Sequence, residues 1–241
     1  MNAQATDRDI VGSGPREQLS TSECEEMFDV LSAHFNGVSR AQFERDLSEK
    51  DWVLRLRRED RLVGFSTLHV YRAETEVGPV NVFYSGDTIV SPEAWNSSAL
   101  ARGWIGLVKR IQRTLDANPC YWLLLSSGFR TYRFLPVFWR AFWPHVGAPM
   151  PVREQRLLHA LARGQFGDAY DEKNGVVRFS RPQQLKPFLS SVPQGREHNP
   201  HIRFFCEQNP GHAAGDELVC LTELSDENLT PAGARMVRYA L

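Results

Sequence analysis

From residue 22 the apolar positions Met27, Leu31 and Phe35 recur at helical spacing, and Ser22 with Glu25 has the spacing of a capping box, so a helix is predicted to begin there. A second, shorter helix is predicted from Ser39, paired with Gln42 in the same way and turning Phe43 and Leu47 inward. The period then drops to two. Over 51–58, Trp52, Leu54 and Leu56 alternate with Arg55 and Arg57, as in a half-buried strand. Glu59-Asp60-Arg61 is a tight connection, and 62–72 returns as the second arm of a hairpin. Gly64 inside that arm marks a bulge or a close backbone approach. A third strand over 79–90 follows the polar loop 73–78, and three strands in this order make an antiparallel meander.

The strongest helical pattern lies over 97–116, where Leu100, Trp104, Leu107, Val108, Ile111 and Leu115 share one face and Lys109, Arg110, Gln112 and Arg113 the other. Asn118-Pro119 stops it, and the unbroken apolar run 121–126 reads as a central buried strand. After Gly128 comes an aromatic segment, Phe129 to Trp143, in which Pro136 starts or kinks a helix. Its rings either pack the core or line an apolar pocket. Beyond 144 the pattern predicts a helix over 151–163 with Pro151 at its first position, strands over 176–180 and 218–224, and short helices over 185–189 and 200–207. The expected fold is α+β, a mixed and mostly antiparallel central sheet flanked by helices. Its expected division is a disordered lead-in over 1–16, a core over 17–145, and a C-terminal part over 146–241 that completes the sheet with added helices, these serving as a lid, a substrate cover or a homodimer surface.

Composition narrows the function classes. A chain of 241 residues with 42% hydrophobic side chains buries a core without staples. The net charge of −1 gives no pull toward nucleic acid or an anionic membrane. The four cysteines, Cys24, Cys120, Cys206 and Cys220, have neither metal-ligand nor disulfide-framework spacing, and no histidine has metal spacing, so no metal is expected. The first residues hold no apolar leader segment, and no run approaches the ~20 apolar residues that span a bilayer. The expected location is cytoplasmic.

No nucleophile elbow, P-loop, dinucleotide fingerprint or zincin helix is present. What the chain offers is an order of elements, strand–strand–strand–helix–strand–helix over about 22–143, with Val90-Ser91-Pro92-Glu93-Ala94-Trp95-Asn96-Ser97-Ser98-Ala99 between the third strand and its helix. This order resembles the GNAT superfamily of acyl-CoA-dependent N-acyltransferases, in a divergent, GNAT-like form with a C-terminal extension. The resemblance implies that the loop and helix after the third strand cradle the pyrophosphate of acetyl-CoA or another acyl-CoA, and that the next strand splays away to open the acyl site. The matching cofactor-binding positions are Val90, Asn96, Ser97, Ser98, Ala99 and Arg102. The family's glycines are missing here, so the helix amino end with its unpaired N–H groups is what remains to bind an anion. Ser97 or Ser98 as an ordinary helix cap is the alternative.

The family often carries a tyrosine after the splayed strand to protonate the departing thiolate, and Tyr132 stands at that remove. Its alternative is packing among the aromatics with the hydroxyl bonded to backbone. Asp87, in the polar run Phe83-Tyr84-Ser85-Gly86-Asp87-Thr88, is the candidate base, sharing a strand face with Ser85 if no bulge intervenes. Its alternative is a bond to a neighbouring loop. Glu93 is a second, weaker base. The expected activity is acyl transfer, acetyl from acetyl-CoA in the first instance, to a small-molecule or peptide amine. Two other readings remain: a non-catalytic GNAT-fold binding or regulatory protein, and an acyltransferase that uses a carrier-bound donor.

Overall fold

The structure, a computed structural model, describes residues 9–240. The expected disorder of 1–8 lies outside the described residues, but the rest of the lead-in is structured. Ile10–Pro15 forms β1, which adds an antiparallel edge strand along Trp52–Arg58. Its packing comes from the far side of the chain: a Cβ on Gly103 would lie 2.5 Å from Val11 Cγ1, so the missing side chain is what lets β1 lie close. Asp9 accepts from Arg58 at 2.7 and 3.0 Å and anchors the start of the strand.

Helix α1 (Thr21–His34) begins two residues earlier than the predicted box. Ser20 and Glu23 exchange the reciprocal cap bonds, at 3.2 and 2.9 Å, that the sequence also offers to Ser22 and Glu25. A short β2 (Phe35–Asn36) leads to α2 (Arg40–Ser48), capped by Ser39 on the Gln42 N–H. The meander follows as β3 (Trp52–Arg58), β4 (Arg61–Thr75) and β5 (Gly78–Ser85). The third strand is not continuous: it breaks at Gly86-Asp87 and resumes as β6 (Thr88–Val90), which pairs with β4 alone. Helix α3 (Ala99–Gln112) and β7 (Cys120–Ser126) come next, then α4 (Phe129–Tyr132), α5 (Phe134–Phe138) and α6 (Val152–Phe166). Pro151 is the cap of α6, one place before the expected first helical position. The remaining elements are β8 (Tyr170–Asp171), β9 (Val176–Val177), β10 (Gln184–Leu185), α7 (Pro187–Ser190), α8 (Pro200–Gln208), β11 (Glu217–Glu223) and α9 (Pro231–Ala240).

The large sheet runs β1-β3-β4-β5-β7-β11-β9-β8 with β6 beside β4, and every pairing is antiparallel except β5 with β7. Alternation sorts the side chains to two faces. Val80, Val82, Leu123 and Leu125 pack with Leu157, Leu158 and Leu161 of α6, whereas Phe83, Trp122 and Leu124 pack with α3. Both faces of β7 are covered, which is why its sequence is apolar without alternation. A third cluster seats α1 and α2 on β3, β4 and β6 through Met27, Leu31, Phe43, Val53 and Phe65. Among the described residues no helix is long and apolar enough to cross a membrane.

Candidate active site

β5 and β7 run side by side as far as Ser85 and Leu124 and then part. The break at Gly86-Asp87 carries β6 toward β4, while β7 stays with β11 up to Ser126. Between them lies a cavity of 670 Å³, covered by the segment after β9 through Phe179, Gln183 and Leu189. Thr67 N–H donates to Asp87 O (2.9 Å) and Ser91 N–H to Val63 O (2.8 Å), which fixes the ladder register on the β4 side. Alternation then turns the N–H groups of Thr88 and Val90 the other way, to the edge that β7 has vacated, and both residues line the cavity. The Val90 carbonyl is taken by the Trp95 indole N–H at 2.8 Å.

One part of the lining is acidic. Asp46 and Glu49 come from the end of α2, Asp87 from the break, and Glu217 from the start of β11. Lys50 stands among them with its ammonium on the Asp46 carbonyl (2.9 Å) and 5.2 Å above the Tyr84 ring. Burial pushes the Asp87 carboxyl up to about 6, with Lys50 pulling down and Asp46 adding to the rise. Burial, then the Asp87 charge, pushes Glu217 up to about 8, although a bond from Ser127 opposes this. Burial also raises Asp46. Tyr84 is raised well above the phenol range by burial and by Glu217 and Asp87. Its side chain is 7% exposed, its hydroxyl lies 3.0 Å from where a Cβ on Gly86 would stand, and it has no hydrogen-bond partner among the described residues.

Another part is basic. Arg130 and Arg133 come from α4 and its end, Arg181 and Arg196 from the covering segment. Arg130 stacks on Trp95 at 4.0 Å and donates to Leu189 O, tying α4 to the turn before α3.

No family model and no curated protein sequence matches the chain. Solved structures do resemble it. A probable N-acyltransferase from Enterococcus faecalis aligns over 56% of this chain, with a TM-score of 0.42 and 15% identity, and this chain spans 33% of that protein's length. Escherichia coli ElaA aligns over 60% of this chain and 93% of its own, at a TM-score of 0.39 and 13% identity. An aminoglycoside acetyltransferase from an uncultured soil metagenomic sample, solved with sisomicin, aligns over 52% and 82%, at 0.37 and 13%. The expected α+β class, with a mixed and mostly antiparallel sheet flanked by helices, is what the structure has.

Within this fold the expected site residues separate into two groups. Asp87, Val90, Asn96 and Ser97 line the cavity. Ser98, Ala99 and Arg102 do not: Ala99 is packed in the core, Ser98 is exposed, and Arg102 points elsewhere on α3. Ser97 acts locally, accepting from Ala99 N–H at 3.2 Å and bonding Asp9. Glu93 is engaged by Arg61 at 2.9 Å, outside the cavity lining.

Tyr132 is not brought to Asp87. It is fully buried among Phe142, Phe204 and Phe205, its hydroxyl donates to Pro144 O at 2.9 Å, and it does not line the cavity. This corrects its expected role as an acid, because the proton it would give is held inside the core. The expected sharing of a face by Asp87 and Ser85 is corrected too. Ser85 faces α3 and accepts from Trp104 Nε1 at 3.3 Å, and the strand break moves Asp87 to the company of Tyr84 and Glu217. Glu217, Lys50, Asp46 and the arginines escaped the sequence reading. Each is a polar residue near the end of an element or in a loop, where polarity is ordinary and carries no signal.

Proposed function

We propose that the protein is an N-acyltransferase that moves an acyl group, acetyl from acetyl-CoA in the simplest case, onto an amine that arrives positively charged. The observation that carries this reading is the meeting, in one cavity, of Asp87 with the free edge of β6.

The residues present fit such a donor: the outward N–H groups of Thr88 and Val90 are strand donors available to its arm or to a carbonyl oxygen, and the cavity is large enough for an acyl group beside an amine. The bound thioester supplies an activated carbonyl. Asp46 and Asp87 attract a cationic amine, and Asp87, with a carboxyl near 6, is mostly ionised at neutral pH yet basic enough to take the ammonium proton. The amine nitrogen bonds to the acyl carbon, the carbon–sulfur bond breaks, and the sulfur leaves with the electron pair and takes up a proton. Glu217, which keeps its proton at neutral pH, and the unpartnered Tyr84 hydroxyl are the O–H donors in reach of the cavity. A backbone donor aimed at the developing oxyanion is worth about 3–4 kcal/mol. Binding donor and amine together supplies about 7 kcal/mol or more in good cases.

The test is thiol release from acetyl-CoA with a panel of polyamines, aminoglycosides and peptide amino termini. The expected result is turnover with a cationic amine, with kcat/KM rising with pH through about 6 as Asp87 ionises. Asp87→Asn is expected to lower kcat/KM by roughly 10²–10⁴-fold. Thiol release at the buffer rate with every amine sinks the reading. A second reading, a GNAT-fold binding protein without chemistry, then stands in its place. It draws on the absent loop glycines and on the use of Ser97 as a local tie to Asp9.

A further inference from the structure

An acyl donor of the CoA type carries three phosphate groups, and the position that the fold resemblance gives them is poorly supplied here. At the amino end of α3 the Ala99 N–H is satisfied by Ser97 Oγ at 3.2 Å. Ser97 in turn bonds the Asp9 carboxylate, whose side chain is only 7% exposed and is clamped by Arg58. That carboxylate stands beside the turn that precedes α3, and its charge repels a second anion there. Arg102, the cation nearest in sequence, does not line the cavity.

The cations that do line it are elsewhere. Arg130, Arg133, Arg181 and Arg196 converge on the cavity from α4 and the covering segment. Among the described residues Arg133, Arg181 and Arg196 have no ion-pair partner. The charge is therefore uncompensated: Arg130 is held below its usual range by burial and by Arg133, and His201 by burial, His145 and Arg133. The charges acting on Asp87 come from Lys50 and Asp46, and those acting on Glu217 from Asp87 and Asp46, with no arginine among them. One cavity thus has two electrostatic compartments. The stack of Arg130 on Trp95, whose indole bonds the Val90 carbonyl, joins the basic compartment to the exposed edge of β6.

We propose that Arg133, Arg181 and Arg196, supported by Arg130, bind the phosphate groups of the acyl donor on a wall built by α4 and the covering segment, in place of the α3 turn. This deepens the acyltransferase reading and rests on it. Guanidinium groups suit the task because each presents paired N–H donors to a phosphate. The same chemistry accommodates free CoA or the single phosphate of a carrier's phosphopantetheine arm, and the ligands below separate the two.

The experiment is calorimetric titration of the full chain with CoA, ADP, 4′-phosphopantetheine and pantetheine, beside turnover of acetyl-CoA and acetyl-pantetheine. The variants are Arg133→Ala, the double Arg181→Ala/Arg196→Ala, and Arg102→Ala at the α3 turn. The double variant changes two exposed side chains, so a folding defect is not expected there. Expected are a loss of at least ~10-fold in CoA affinity in both arginine-wall variants, steeper at low salt, unchanged pantetheine binding and acetyl-pantetheine turnover, and no effect of Arg102→Ala. A similar ~10-fold loss with 4′-phosphopantetheine but wild-type affinity for ADP assigns the wall to a carrier's phosphate. Wild-type affinity for every phosphate ligand in the arginine-wall variants, or a loss confined to Arg102→Ala, overturns the proposal while leaving acyl transfer intact. Absence of turnover with both acetyl donors in the wild-type chain removes the acyltransferase reading and this proposal with it.

Discussion

Asp87 and Glu217 are carboxyls whose folded values, about 6 and about 8, stand above the ordinary 3.8 and 4.5 because burial disfavours their charge. A carboxyl with a raised folded pKa holds its proton more tightly in the folded chain than in the unfolded one. These groups therefore cost nothing in stability below about pH 4, and the folded state weakens as pH climbs from the unfolded value to the folded one. At about 1.4 kcal/mol per pKa unit, Asp87 forfeits at most ~3 kcal/mol by neutral pH. Glu217→Gln is expected to melt above the wild type at pH 9 and with it at pH 4, by thermal denaturation across that range. A difference independent of pH would rule out burial of the charge as its origin. The site was legible at this scale only in part. Asp87 showed as a carboxylate inside an apolar strand, but Glu217 precedes its strand and Lys50 follows a helix, and neither place is unusual for a charge.

At the scale of elements, the meander was readable because each strand has one face in the core, and alternation follows from that. Gly64 was readable as a position without room. A Cβ there would lie 2.6 Å from Ile89 O and 3.2 Å from Val90 Cα, so β6 sits directly against the glycine. Gly64→Ala is expected to destabilise the fold by about 2 kcal/mol or more, as overpacking does in a closed site, and to push β6 outward. Chemical denaturation measures the first effect, and a raised KM for the acyl donor the second. Unchanged stability would mean that β6 shifts freely and its free edge is not fixed. What could not be read is the break at Gly86-Asp87, because a strand that changes partner keeps the same local pattern of apolar residues. β1 was missed for a related reason: it is an edge strand with Gly12 and Gly14, held by backbone bonds to β3 and by a glycine on α3.

At the scale of the molecule, the expected boundary at 145 falls inside one sheet. β11 inserts between β7 and β9, and buries Leu218, Val219, Cys220 and Leu221. Helix α9 adds its own contacts with α3 and α5. Residues 17–145 expressed alone leave β7 with an open edge and one face of Leu123 and Leu125 uncovered by α6. That fragment is expected to be insoluble or to lack a cooperative melting transition in circular dichroism. A soluble fragment with a sharp transition would show that the core folds without its C-terminal part.

The amino-acid order alone determined the α+β class, the meander, the long helix α3, the central strand β7 and the candidacy of Asp87, since each is written in local periodicity or in a residue type out of place. Only tertiary structure decided which groups share the cavity. Glu217 reaches Asp87 across 130 positions of chain through the insertion of β11, and Tyr132 leaves it by turning into the core. Periodicity records whether a side chain faces inward, and it holds no record of which distant side chain it will meet there.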